Sequence, residues 1–216
     1  MPTVSQPRLT LRFAQAIPVL MSACDIDPSA RIAFDARIRQ LQRHGLPPRD
    51  AARAAGPLDY GINELAALAT AVRLMAAFMV PSLAARYVIE RWDTLAPILL
   101  SGAQAAIPAG YLARRPIDDK TIIVVQASAL ADLGLQGRHN ERYAGALGKL
   151  IAADAVTLGD AVRKMGGAGL ILDASGYMAR IIEKFVQETV ATEQELTHEL
   201  DRLRFSTGQM TSPPVI

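Results

Sequence analysis

A mainly α-helical chain with a small α/β part is predicted by three features of the sequence. Hydrophobic residues make up 50% of it but aromatics only 5%, and the apolar content is largely Ala, Leu and Ile, which favours helices over sheets. Apolar positions recur at helical spacing through the N-terminal half and again near the C-terminus. Only two short stretches, Ile122 to Val125 and Gly169 to Asp173, read as strands.

The elements follow in order. Leu9, Phe13, Ile17, Leu20 and Met21 give a first helix over 9–24, with Pro18 near a kink or start. Arg8 and Arg12 precede this apolar run, but it is short and mixed with Gln15, so it is read as a helix rather than a secretory leader. After the break "DIDPS", Asp27 or Ser29 caps a second helix over about 29–44, with Phe34, Ile38 and Leu41 on one face and Arg39 and Arg43 on the other. Gly45 and "GLPP" end it. A loop over 46–60 is followed by a helix that Asn63 caps and that runs to Phe78, and by another from Pro81, whose buried stripe includes Tyr87, Trp92 and Leu95.

Beyond Pro108 the strand "DKTIIVVQAS" (119–128), a short helix from Ala155 to Met165 and the strand "GLILD" form a small α/β unit. A single long helix is expected over 176–204. Its seam is Met178, Ile182, Phe185, Thr189, Leu196, Leu200 and Leu203, and Glu183, Glu188, Glu193, Glu195 and Glu199 decorate its flanks. The expected division is a helical domain at 1–107, an α/β dimerisation or effector domain at 108–205, and a disordered tail at 206–216.

At 216 residues the chain can bury a core without disulfides or metals. Its one cysteine, Cys24, excludes an internal disulfide, suits a reducing cytoplasm and is read as a small core residue. No later stretch approaches the ~20 apolar residues of a membrane helix, and no membrane partner is expected.

The formal net charge is only +2, yet residues 31–56 hold six arginines and one histidine against Asp35 and Asp50. A solvated helix face is the ordinary explanation of a charge run. Here the run sits on the second helix of a helix–turn–helix order and continues into a Pro/Gly/Arg loop, a layout suited to duplex phosphates and the major groove.

The order "IDPSARIAFDARIRQLQRHGLPP", a polar loop, then "GPLDYGINELAALATAVRLMAAFMVPSLAARYV" resembles MerR-like winged-helix regulators over roughly residues 9–95. The resemblance implies a winged helix-turn-helix-like N-terminal domain that binds double-stranded DNA. It puts Ser29, Arg31, Arg37, Arg39, Gln40, Arg43 and His44 on or beside the groove-reading helix. It puts Arg49 and Arg53 on a wing that touches phosphates and is closed by Tyr60. That family's metal-sensing cysteines are absent, so any effector response needs another basis. A second helix-turn-helix is conceivable over 63–92, with "MVPS" as the turn and Arg86, Glu90 and Arg91 exposed.

Catalytic patterns are weak. His44, His139 and His198 lie on unrelated segments without zinc-binding spacing. His139, Asn140 and Glu141 are adjacent but not convergent, and "DASGY" lacks the first glycine of a nucleophile elbow, so Ser175 is read as a helix cap. Asp118 and Asp119 are read as a turn. No metal, cofactor or enzymatic activity is expected.

The leading expectation is therefore a cytoplasmic, sequence-specific transcriptional regulator acting as a homodimer, with a small-molecule effector left open. The alternatives are a protein-interaction or assembly module whose arginines meet an acidic partner, and a small-molecule enzyme built on the α/β region.

Overall fold

Helix α1 (Phe13–Ala23) starts where Arg12 is still extended, and the Gln15 side chain turns back to accept the Arg12 backbone N–H at 3.1 Å. This computed structural model describes residues 8–47, 58–77, 79–114, 119–126, 147–166 and 169–205. Pro18 lies inside α1, but it and Ala14 are exposed, so the carbonyl that the proline leaves unbonded can be met by water. Asp27 does cap the next turn: its Oδ1 accepts the Ser29 N–H at 2.8 Å. The result is a 3₁₀ turn over Pro28–Ala30, after which α2 runs from Arg31 to Arg43.

Glycine is required at the end of α2. Gly45 has φ +82°, and the Leu46 and Gly45 N–H groups return to the carbonyls of Leu41 and Gln42 at 3.1 and 3.0 Å.

The next helices are α3 (Ile62–Ala76), α4 (Pro81–Glu90), α5 (Trp92–Gly102) and α6 (Ala109–Arg114). Asn63 does not cap α3. Gly61 occupies that position, and Glu64 accepts its backbone N–H at 2.9 Å. Most of α3 is buried, which explains its run of Ala, Leu and Val.

Three strands form one antiparallel sheet in the order β2 (Leu150–Ala153), β1 (Ile122–Gln126), β3 (Gly169–Asp173). Val124 of β1 stands opposite Ile151 on one side and Ile171 on the other. As the central strand, β1 is apolar on both faces. Ile123 and Val125 join the helical core, whereas Val124 packs with Ala153, Ala161 and Met165 under α7 (Leu158–Lys164).

Two helices, α8 (Ala174–Thr189) and α9 (Glu193–Phe205), replace the single helix expected over 176–204. Val190 adopts the left-handed region (φ 52°, ψ 39°) and breaks the chain. Thr192 and Glu195 then form a reciprocal capping box: the Glu195 N–H reaches Thr192 Oγ1 at 3.3 Å and the Thr192 N–H reaches Glu195 Oε2 at 2.9 Å. The cap of α8 is Asp173, which accepts the Ser175 N–H at 2.9 Å, so Ser175 is the capped residue rather than the cap.

The expected apolar seam is consumed inside the chain. Met178, Ile182, Phe185, Leu196, Leu200 and Leu203 are all buried in the same cluster as Leu20 of α1, Leu68 of α3 and Leu99 of α5. This core crosses the expected division at 107/108. One close joint is at Gly102, where an added Cβ would lie 2.7 Å from the backbone carbon of Ala174. Glu199 does not decorate a flank: it is 2% exposed, with Arg202 Nη1 at 2.9 Å and Arg8 Nε at 3.8 Å. Burial pushes its carboxyl above the ordinary value, and Arg202 and Arg8 pull the other way.

The architecture is thus mainly α, with a small antiparallel sheet and a C-terminal helical pair. Among the described residues no helix is long and apolar enough to cross a membrane. The expected tail at 206–216 lies outside the described residues.

Candidate nucleic-acid interface

The apolar spacing of α2 decides which way its cations face. Phe34, Ile38 and Leu41 are buried, so the helical period turns Ile32, Ala36, Arg39 and Arg43 to the opposite, exposed side. Arg31 is exposed at the helix start and Arg37 on one flank. Ile32 is 87% exposed, a large apolar side chain in the middle of a basic surface.

Two further elements brace this face. The guanidinium of Arg39 lies over the Phe13 ring of α1, 4.6 Å from its centroid. Phe13 in turn meets the buried Tyr60 at 6.1 Å between ring centroids, in a tilted arrangement. Tyr60 pairs with Leu11 through two backbone hydrogen bonds of 2.8 and 3.0 Å, and its hydroxyl accepts a hydrogen bond from Gln42 of α2. The start of α1, the middle of α2 and the segment entering α3 are therefore locked together.

Of the expected site residues, Arg39 and Arg43 share one face and lie one turn apart. Arg37 and Gln40 are joined by a hydrogen bond of 3.1 Å from Arg37 Nη1 to Gln40 Oε1. His44 is exposed at the C-cap. Ser29 is exposed in the preceding turn, its backbone held by Asp27. Arg49 and Arg53 lie outside the described residues. The chain leaves the described region after Pro47, at the end of α2, and re-enters it at Leu58, two residues before Tyr60 pairs with Leu11.

Sequence reasoning missed Arg12, which is 69% exposed and pairs with Asp59 at 3.2 Å. It is the neighbour of Phe13, and Asp59 is the neighbour of Tyr60, so only the Leu11–Tyr60 pairing brings this cation to the edge of the α2 face. Asp35 is the single acid of α2; it is half-buried, and its Oδ1 has no hydrogen-bond partner among the described residues.

Elsewhere in the molecule the cations divide: Arg91, Lys149, Lys164 and Lys184 form no ion pair among the described residues, and seven arginines do. Arg8, Arg12, Arg73, Arg86, Arg163, Arg180 and Arg202 each form an ion pair with a carboxylate. Arg31, Arg37, Arg39 and Arg43 form none among the described residues. A helix bearing four arginines and one aspartate therefore presents positive charge that the described chain leaves uncompensated.

The second helix-turn-helix reading fails on burial. Leu83, Ala84, Ala85, Tyr87 and Val88 of α4 are buried, Arg86 is tied to Glu90 at 2.6 Å, and Glu90, at 47%, is the one exposed residue of the helix. Such a helix has no free face to enter a groove. Tyr87 and Trp92 are core residues.

Few of the catalytic candidates lie among the described residues. His198 is exposed on α9, far in the chain from His44. His139, Asn140, Glu141 and Asp118 lie outside the described residues, and Asp119 is an exposed bend. No group of three or more His, Cys, Asp or Glu among the described residues could hold a metal. Cys24 is buried, its thiol 3.9 Å from the Ala69 carbonyl, and burial pushes its pKa up to about 12, so it carries no thiolate at neutral pH. Comparison with family models, curated proteins and solved structures found no match to this chain.

Proposed function

We propose that the chain is a sequence-specific, DNA-binding transcriptional regulator of the cytoplasm that reads a duplex through α2. The observation that carries this reading is the row on α2, where Arg39 and Arg43 share an outward face and no arginine of the helix is paired with a carboxylate among the described residues. Exposed cations held in this way neutralise phosphates and release counterions, while Ile32 and Ala36 on the same face offer apolar contact to thymine methyls. The braced order of Leu11, α1, α2 and Tyr60 also fits the resemblance to MerR-like winged-helix proteins, in which the interval carrying Arg49 and Arg53 would be the wing. Action as a homodimer on two half-sites belongs to this reading. Its pairing surface is not the α8–α9 seam, which is buried within one chain.

The test is selection of duplexes from a random pool with the purified full chain. Enrichment of one discrete motif with two-fold symmetry supports the regulator and its dimer. Equal recovery of all sequences, or none, rejects it.

A second reading is favoured by one observation: Ile32 is 87% exposed among arginines. An acidic amphipathic partner segment would cover such a face equally well. It predicts a stoichiometric protein complex and no duplex binding.

A further inference from the structure

A cleft of about 320 Å³ lies where the end of α1, the last turn of α3 and the junction of β3 with α8 meet. Asp25, Arg73, Ile171, Gly176, Tyr177 and Arg180 are among its lining residues. Two guanidinium groups converge there on one carboxylate. Arg73 Nη2 is 2.7 Å from Asp25 Oδ2, and Arg180 Nη1 contacts Asp25 Oδ1.

We propose that this cleft binds a small ligand through a carboxylate or phosphate group, which takes the place of the Asp25 side chain on Arg73 and Arg180. Both arginines are held independently of Asp25, because Arg73 also donates to the Ala23 carbonyl at 2.7 Å and Arg180 to the Ser22 carbonyl at 3.1 Å. They therefore stay in position when the carboxylate leaves. Asp25 is exposed, so its contact is a surface ion pair open to exchange.

The walls suit an anion with an apolar body. The Tyr177 ring lies beneath Arg73, 5.9 Å from its guanidinium carbon, and Ile171 is 47% exposed on β3. Gly176, in the first turn of α8, leaves open space where a side chain would stand. Asp173 also lines the cleft, but its carboxylate is engaged by the Ser175 N–H. With Asp25 displaced, two arginines face that one remaining acid, which suits a single anionic group at a time.

The site connects to the basic helix along the chain. Asp25 stands two residues before Asp27, whose side chain caps the turn that starts α2. Displacing Asp25 loosens the segment that sets where α2 begins, and an effect on DNA affinity by this route rests on the proposed reading of α2.

Titration calorimetry of the full chain with benzoate and with inorganic phosphate tests the site in the absence of DNA, so its result is independent of the DNA reading. Binding of either probe is expected. Asp25→Asn, which removes the internal competitor, is expected to tighten it about tenfold, and Arg180→Gln to weaken it by about tenfold or more. Binding of benzoate alone identifies a carboxylate ligand with an apolar body, and binding of phosphate alone a phosphate ligand. Absence of binding by both probes even in Asp25→Asn, or equal affinity in folded Arg180→Gln and wild type, overturns the proposal.

Discussion

The guanidinium of Arg39 rests on the ring of Phe13, so the central cation of α2 is positioned by the first residue of α1. Left to itself, an exposed arginine samples many rotamers. Stacked on an aromatic ring it is presented in fewer, and less entropy is lost when it meets a phosphate.

Phe13→Leu keeps the apolar volume and removes the ring. It is expected to cost about 1 kcal/mol of stability, from the lost contacts with Arg39 and Tyr60. Duplex affinity should fall about threefold with an unchanged salt slope, because no charge is removed. Urea denaturation and a salt titration of DNA binding read the two effects separately.

Gly102→Ala is expected to destabilise by about 1–3 kcal/mol, because the new methyl group meets the Ala174 backbone at 2.7 Å and forces α5 from α8. Gly176→Ala is the matched control: nothing lies within 4 Å of its added Cβ. There the gain in helix propensity should stabilise by up to ~1 kcal/mol. Thermal unfolding should move the two variants in opposite directions.

The Asp25 carboxyl lies below its ordinary value of 3.8 because Arg73, then Arg180, donate hydrogen bonds to it. A lowered carboxylate stabilises the fold fully above its unfolded pKa and loses that contribution as pH falls through the folded value. The stability difference between wild type and Asp25→Asn should therefore be constant above about pH 5 and shrink below it. Urea midpoints measured across that range check this, and a difference that grows on acidification contradicts it.

Much of the fold was legible because its signals are local. Phe34, Ile38 and Leu41 repeat at the helical period, the run Ile122–Val125 has no polar break, and β3 spans the same residues, Gly169–Asp173, that its apolar pattern marks. Strand β2 was missed because "LIAA" carries one β-branched residue and reads as helix. The break at Val190 was hidden by an apolar seam that continues across it, although the Thr192–Glu195 capping box was a readable signal.

The site divides in the same way. Arg39 and Arg43 followed from their one-turn spacing, whereas the contributions of Arg12 and Phe13 depend on the Leu11–Tyr60 pairing, which no local pattern encodes. Glu199 looked like a flanking charge because its partner Arg8 is supplied by the opposite end of the chain.

The central claim is that the α2 arginines meet duplex phosphates, and the most direct test is the salt dependence of duplex affinity for wild type and the Arg39→Ala, Arg43→Ala double variant. The account predicts affinity that falls steeply with salt in the wild type. In the double variant it predicts affinity about ten- to a hundredfold weaker and a log–log slope shallower by about 2. Equal affinity and equal slope in a folded double variant would contradict it.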